Sequence, residues 1–366
     1  MTALTHILTL LLVISAASEA ASLQSAPSSC AVPRKRHEWM ELSADQKRAY
    51  LKAQQCILET PQKQNTLPGA KTRWDELVSL HQIHAFQIHT TGNFLPYHRY
   101  FLHVHEALLR ECGYNGTLPY WDETKDAGNF SSSPIFDPVV GFGGSGSGTG
   151  NCLIDGPFVN MTVNIGPGFT TQPRCVSRQV TDFLSNQCGQ PYVDAALNTT
   201  TYLAALDGIY SGPHLMGHIS LAMMEGDSIT SPGDPLFMMH HGFVDKMWAD
   251  WQKMDETRLT EIAGLNAQDP AVGFSEFPGD MEEESTMWGH PTAAMLAVTP
   301  DPEAGDEGKN ITLNHVLSSL GIIPDATIAD VMDTKGIKYA SLIDCFTDAV
   351  LKAYKPVIKF NLEIRL

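Results

Sequence analysis

Beyond its first twenty residues the chain has no apolar run approaching the roughly eighteen residues of a membrane-spanning helix, so the mature protein is expected to be soluble, with no membrane partner. Positive charge is scarce: 24 Lys and Arg stand against 41 Asp and Glu, a formal charge of −17. That balance argues against nucleic acid and anionic membranes as partners. No C-x-x-C pair occurs among the seven cysteines (Cys30, Cys56, Cys112, Cys152, Cys175, Cys188, Cys345), no internal repeat is present, and nothing reads as an interdomain linker. The low-complexity run Gly141–Gly150 reads as a surface loop. Oligomeric state and disulfide pairing are not legible at this level.

What is present points outward from the cell. Residues 7–17 form an apolar run too short to span a bilayer, and Ser18-Glu19-Ala20 offers a small-x-small cleavage context, so residues 1–20 read as a secretory signal peptide. Asn115, Asn129, Asn160, Asn198 and Asn310 each begin an N-x-Ser/Thr sequon, consistent with a glycosylated extracellular protein. In an oxidising compartment the cysteines allow up to three disulfides and one leftover thiol.

The dominant feature is histidine. Of 14 histidines, ten fall in residues 81–105 and 214–241, where roughly two would fall by chance. Imidazole ligates copper, zinc, iron and nickel, so the clustering calls for a metal. His214 and His218 are four apart, on one face of a helix for which Pro213 suits a first-turn position. Asp234-Pro235 reads as the N-cap and first position of a later helix carrying His241, with Phe237 one turn before it and Asp245 one turn after. Adjacent helical residues point about 100° apart, so only one of His240 and His241 is expected to ligate; the framing by Phe237 and Asp245 selects His241. In the first window Trp74 to Ile88 reads as helix, Thr90–Asn93 breaks it, and Pro96 can open the next. His81 and His89 flank the break and His98 lies in the first turn beyond it, giving a second set of three nitrogens. No such spacing supports His84, His103 or His105, which read as surface or packed side chains. Arg99 and Asp245 read as a structural ion pair.

Two long stretches carry a family resemblance. His89-(four residues)-Phe94-Leu95-Pro96-Tyr97-His98-Arg99-Tyr100-Phe101-Leu102-(three residues)-Glu106 resembles the first copper signature of tyrosinases and catechol oxidases. Asp234-Pro235-Leu236-Phe237-Met238-(two residues)-His241-(three residues)-Asp245 resembles the second, and Pro119-Tyr120-Trp121-Asp122 and Asn164-Ile165-Gly166-Pro167 also look similar to that group. The chain looks like a short, secreted fungal member of this type 3 copper family, the likeness covering roughly residues 45–345. The resemblance implies a mainly α fold: a four-helix bundle holding a dinuclear copper site, with long loops and few short strands. It implies that His81, His89 and His98 bind one of two copper ions and His214, His218 and His241 the other, and that O2 oxidises a small phenolic substrate to an ortho-quinone. Three neutral imidazoles per ion tolerate both oxidation states of copper, and the lack of carboxylates in either triad disfavours a di-iron site.

The departures from the family pattern are informative. Gln87 stands where many relatives have the cysteine of a Cys-x-His thioether. Active monophenolases often carry Asn after the first ligand of the second site and Glu about nine residues before it; here those positions are Leu215 and Ala205, with Asp207 the nearest carboxylate. A phenol of pKa about 10 must lose its proton before binding copper, and a positioned base contributes about 10²–10⁴-fold. Catechol oxidation is therefore expected to dominate over monophenol hydroxylation unless Asp207, or another group close only in space, serves as base. Leu215, Ile219 and Gly242 are expected to shape the substrate entrance. The dicopper domain is expected over residues 21–345, followed by a tail, residues 346–366, unlike the family's usual ending and too short for a covering C-terminal domain. A haemocyanin-like oxygen carrier would share both signatures but occurs in long multidomain chains. A zinc hydrolase would lack the glutamate of His-Glu-x-x-His, since Leu215 occupies that place.

Overall fold

The computed structural model describes residues 35–269, 274 and 289–334. The expected signal segment, residues 1–20, together with Cys30, Cys345 and residues 346–366, lies outside the described residues.

Local sequence explains where the helices begin. Helix α1 (Ala44–Glu59) and helix α2 (Arg73–Ile88) both open on capping boxes, Ser43 with Gln46 and Thr72 with Asp75, in which side chain and backbone exchange hydrogen bonds. Helix α2 stops at the expected break, where Thr90 takes a φ of 49°. Helix α3 (Phe94–Glu111) starts two residues before Pro96. Proline is tolerated there because first-turn N–H groups have no intrahelical acceptor to lose. Helices α4 (Gln190–Leu197) and α5 (Tyr202–Ile209) lead into a wide turn, Tyr210–His214, whose Gly212 breaks helical geometry (φ −94°, ψ −113°). Pro213 thus sits inside the turn, and helix α6 (Leu215–Leu221) resumes after it.

Helix α7 (Phe237–Lys253) begins later than the Asp234-Pro235 pattern predicts. Asp234 does accept the Leu236 N–H at 3.0 Å, but both its oxygens are taken by Arg178 at 2.7 Å, and this buried pair anchors the approach to the helix. The only strands among the described residues are two antiparallel two-stranded ribbons, Thr162–Val163 with Arg174–Cys175 and Val316–Leu317 with Ala326–Thr327. The fold is mainly helical, as expected.

One contiguous apolar cluster runs from Trp39 to Met332 and includes Trp74, Leu77, Phe101, Phe237 and Trp248. Helices α2 and α3 are buried on nearly every side, the situation in which a helix must find internal partners for its polar residues. Arg99 illustrates this. It is fully buried, donates to Asp245 at 2.5 Å, to Gln252 at 3.0 Å and to the Val331 and Met332 carbonyls, and lies 3.8 Å from the Trp248 ring centroid. The expected ion pair is thus present, and it ties α3 to α7. Disulfides join Cys56 to Cys112, linking α1 to the end of α3, and Cys152 to Cys175; Cys188 is a buried thiol. No helix among the described residues is long and apolar enough to cross a membrane.

Candidate metal centre

Four helical segments deliver the histidines. His81 comes from α2, His89 from the residue that ends it, His98 from the first turns of α3, His214 and His218 from the wide turn and α6, and His241 from α7. All six are at least nine-tenths buried. The nitrogens of His81, His89 and His98 form one group within 4.8 Å of one another, and those of His214, His218, His240 and His241 form another. The groups adjoin: the rings of His98 and His241 stack with centroids 4.5 Å apart.

The backbone decides which nitrogen each ring presents. His81 Nδ1 meets the Ile229 carbonyl at 2.9 Å, His89 Nδ1 the Ala85 carbonyl at 3.1 Å, His98 Nδ1 the Phe94 carbonyl at 2.8 Å and His214 Nδ1 the Tyr210 carbonyl at 3.3 Å. A carbonyl can only accept, so each Nδ1 carries the proton and each Nε2 lone pair faces the cluster. His218 Nδ1 meets a side chain instead, Glu225 Oε2 at 3.0 Å. Facing inward, His81 and His98 bring Nε2 atoms to 3.4 Å, and His218 and His241 to 3.1 Å, while the buried Nε2 of His214 has no hydrogen-bond partner among the described residues. Clustered, inward-facing, unprotonated imidazole nitrogens with no carboxylate among them fit two ions of a metal that prefers nitrogen, and copper is such a metal.

His240 joins the second group, contrary to the helical-geometry expectation that would turn it away. Gly217 on the facing helix leaves the room: a Cβ there would lie 2.4 Å from His240 Cε1. Its Nδ1 is held by the fully buried Glu123 at 2.5 Å. His84, His103 and His105 are buried but belong to neither group; His84 packs against Tyr97, and His105 bonds to Gln54 at 2.7 Å.

Of the entrance residues, Leu215 and Ile219 line a small cavity of about 30 Å³ together with His89, His214, His218 and Glu225. Gly242 does not. It faces the chain at Pro119-Tyr120, where a Cβ would come within 2.9 Å of Tyr120 Cβ, so its role is close packing of α7. Asp207 is exposed on α5 and accepts a hydrogen bond from Ser211 Oγ at 3.1 Å; it is not among the cavity's lining residues. Ala205 is fully buried. The carboxylate at the site is Glu225, 1% exposed, which sequence spacing did not single out. Phe274 packs edge-on against His89, with centroids 5.6 Å apart.

Burial sets the proton state of the site. It pushes His81, His98, His214, His218 and His241 well below the ordinary imidazole range, helped by the neighbouring histidines. Burial also takes His89 and His84 down to about 4, and His103 and His105 to about 3. The Glu225 carboxyl is pushed up by burial and by the nearby Asp234, opposed by Arg178; a cation on His218 would act in the opposite direction. The histidines are therefore neutral and ready to ligate at neutral pH. Between about 6.5 and 4 the unfolded histidines bind protons that the folded ones refuse, so their contribution to stability falls as pH falls through that window, while Glu225, its carboxyl pushed up, acts in the opposite sense. The unfolding midpoint of metal-free protein, measured from pH 8 to pH 4, should drop below about pH 6.5 as the many buried imidazoles outweigh one carboxyl; a constant midpoint down to pH 4.5 would contradict the neutral-imidazole site.

All five sequon asparagines, Asn115, Asn129, Asn160, Asn198 and Asn310, are exposed.

Comparison with known proteins agrees with this geometry. Residues 71–254 match the family model described as the common central domain of tyrosinase. The tyrosinase-like protein phomQ1' of Diaporthe leptostromiformis is 34% identical over 290 residues, covering 71% of this chain and 73% of that protein. Tyrosinase P of Aspergillus terreus is 33% identical over 297 residues, covering 68% and 83%. Among solved structures, a polyphenol oxidase from Thermothelomyces thermophila superposes with a TM-score of 0.67 at 27% identity, over 85% of this chain and 89% of that one.

Proposed function

The chain belongs to the tyrosinase family of copper oxidoreductases, and from that membership we propose that it is a secreted, dicopper polyphenol oxidase acting on catechols. In this reading His81, His89 and His98 hold one copper and His214, His218 and His241 the other. When bound, the copper pair supplies the two-electron chemistry that couples O2 reduction to phenol oxidation. Two catechols and one O2 yield two ortho-quinones and two waters.

The chain's own contribution is pre-organisation. Backbone carbonyls lock four of the rings with Nε2 inward, and Phe94, Phe237 and Phe274 wall the imidazoles against water. Leu215 and Ile219 offer an apolar edge to an aromatic ring entering beside His214 and His218. The observation that carries the catechol preference is the place of Asp207. With Asp207 turned to solvent, Leu215 beside His214 and Ala205 buried and apolar, neither of these positions, nor Asp207 itself, supplies a base for a monophenol. A catechol has two oxygens and a direct two-electron path, so it depends less on that base.

One observation favours the second reading, a full tyrosinase: Glu225 Oε1 is buried at the cavity without a hydrogen-bond partner among the described residues. Quinone formation from 4-tert-butylcatechol and from tyrosine, followed side by side on protein of known copper content, separates the two. The proposal expects catechol turnover at least about 10²-fold faster, the lower bound of what a general base contributes. Comparable rates on tyrosine would replace it with the tyrosinase reading. Secretion, and glycans on the five exposed sequon asparagines, complete the proposal; the two disulfides and the asparagines' exposure support it.

A further inference from the structure

The six proposed ligands are not supported alike. Four lean on backbone carbonyls, His241 Nδ1 has no partner among the described residues, and His218 alone leans on a carboxylate, Glu225. That contact is built at some cost in backbone conformation. Helix α6 ends at Leu221, and the chain must reverse within four residues to return Glu225 beneath His218. It does so through Ala222 (φ 50°) and Met223 (φ 46°), two consecutive non-glycine residues in the left-handed region. Side chains there crowd their own carbonyls, and such conformations persist where surrounding structure over-determines them, often at functional sites. The turn is held by the Ala222 N–H on the His218 carbonyl at 2.9 Å, the Gly226 N–H on the Ala222 carbonyl at 3.2 Å and the Met224 N–H on the Ser177 carbonyl at 3.3 Å. Glu225 arrives buried, one oxygen on His218 and the other at the cavity.

We infer that Glu225 is a positioning residue for the second metal site: delivered by the strained Ala222-Met223 turn, it holds the His218 ring by Nδ1 so that Nε2 faces the cluster, and makes that imidazole a stronger donor than its neighbours. This rests on the dicopper reading of the site. A carboxylate on the far nitrogen of a ligating imidazole fixes its tautomer and raises its basicity, and losing such a partner typically lowers metal affinity about 10–100-fold. A carbonyl does the first job but does the second more weakly, since it carries no charge. Replacement by glutamine therefore separates the two, because its amide oxygen still accepts from Nδ1–H without a charge.

The test is copper binding by the metal-free protein in competition with a chromophoric chelator, read beside circular dichroism and the copper reduction potential. Wild type should take up two coppers. Glu225→Ala should keep the fold and the first copper, while the second binds about 10–100-fold more weakly. Glu225→Gln should recover most of that affinity but with a higher potential at the second copper, because a charge that favours the oxidised ion is gone. Two coppers bound by Glu225→Ala with wild-type affinity would overturn the inference. Should Glu225→Ala not fold, Glu225→Gln decides alone: a raised potential upholds the role and an unchanged one overturns it. Wild type taking up no copper would instead sink the dicopper reading itself.

Discussion

Replacing His241 with alanine should leave a folded protein that binds one copper and has lost its oxidase activity, while replacing His240 should leave both coppers in place. The two residues are neighbours on α7, and both bring a nitrogen into the second histidine group. Their surroundings differ. His241 Nε2 lies 3.1 Å from His218 Nε2, and its ring is clamped between Phe237, at 3.9 Å, and His98, at 4.5 Å, where the two groups meet. His240 is instead tied by Nδ1 to Glu123 at 2.5 Å and lies against Gly217 and His214. Losing a ligand must cost at least the roughly 10–100-fold in affinity that follows loss of an outer partner, and a reaction that needs both coppers cannot run on one. Copper per chain on each purified variant is the measurement. Equal losses from both variants would make the second site a four-histidine one, and loss from His240→Ala alone would exchange the two roles.

Asp245→Ala should be strongly destabilising, lowering unfolding free energy by about 3–5 kcal/mol. Asp245 accepts from the fully buried Arg99 at 2.5 Å and from Arg36 at 2.7 Å. Without its carboxylate the Arg99 charge stays buried against Trp248 with only neutral acceptors, and removing one partner of a buried pair is far costlier than replacing both by apolar groups. Arg99 follows His98 on α3, and Asp245 lies one turn beyond His241 on α7. The pair therefore spaces one ligand from each site, and copper retention should fall along with stability. Denaturant unfolding of the metal-free variant isolates the stability effect; a loss under about 1 kcal/mol, the range of a surface pair, would show the ion pair to be dispensable.

The two histidine groups were legible because metal chemistry restricts residue type and helices restrict spacing. His214 and His218 are four apart by helical necessity, and His81, His89 and His98 surround a break that Thr90-Thr91-Gly92-Asn93 makes unavoidable. The same local logic misled where it had to choose a direction in space. Asp207 is close to the site along the chain, yet α5 turns it to solvent. Gly242 sits beside His241, yet it faces Pro119-Tyr120.

By itself, the sequence determined the two histidine clusters, the helices that carry most of them, the Arg99–Asp245 pair and the family. Only the tertiary structure decided what stands behind the histidines: Ile229 behind His81, Glu225 behind His218, Glu123 behind His240, and Gly217 making room for a fourth imidazole. Ligand spacing is a property of one helix and is written in consecutive residues. The partners of the far nitrogens come from segments that meet only when α2, α3, α6 and α7 pack together, and no periodicity along the chain encodes that meeting.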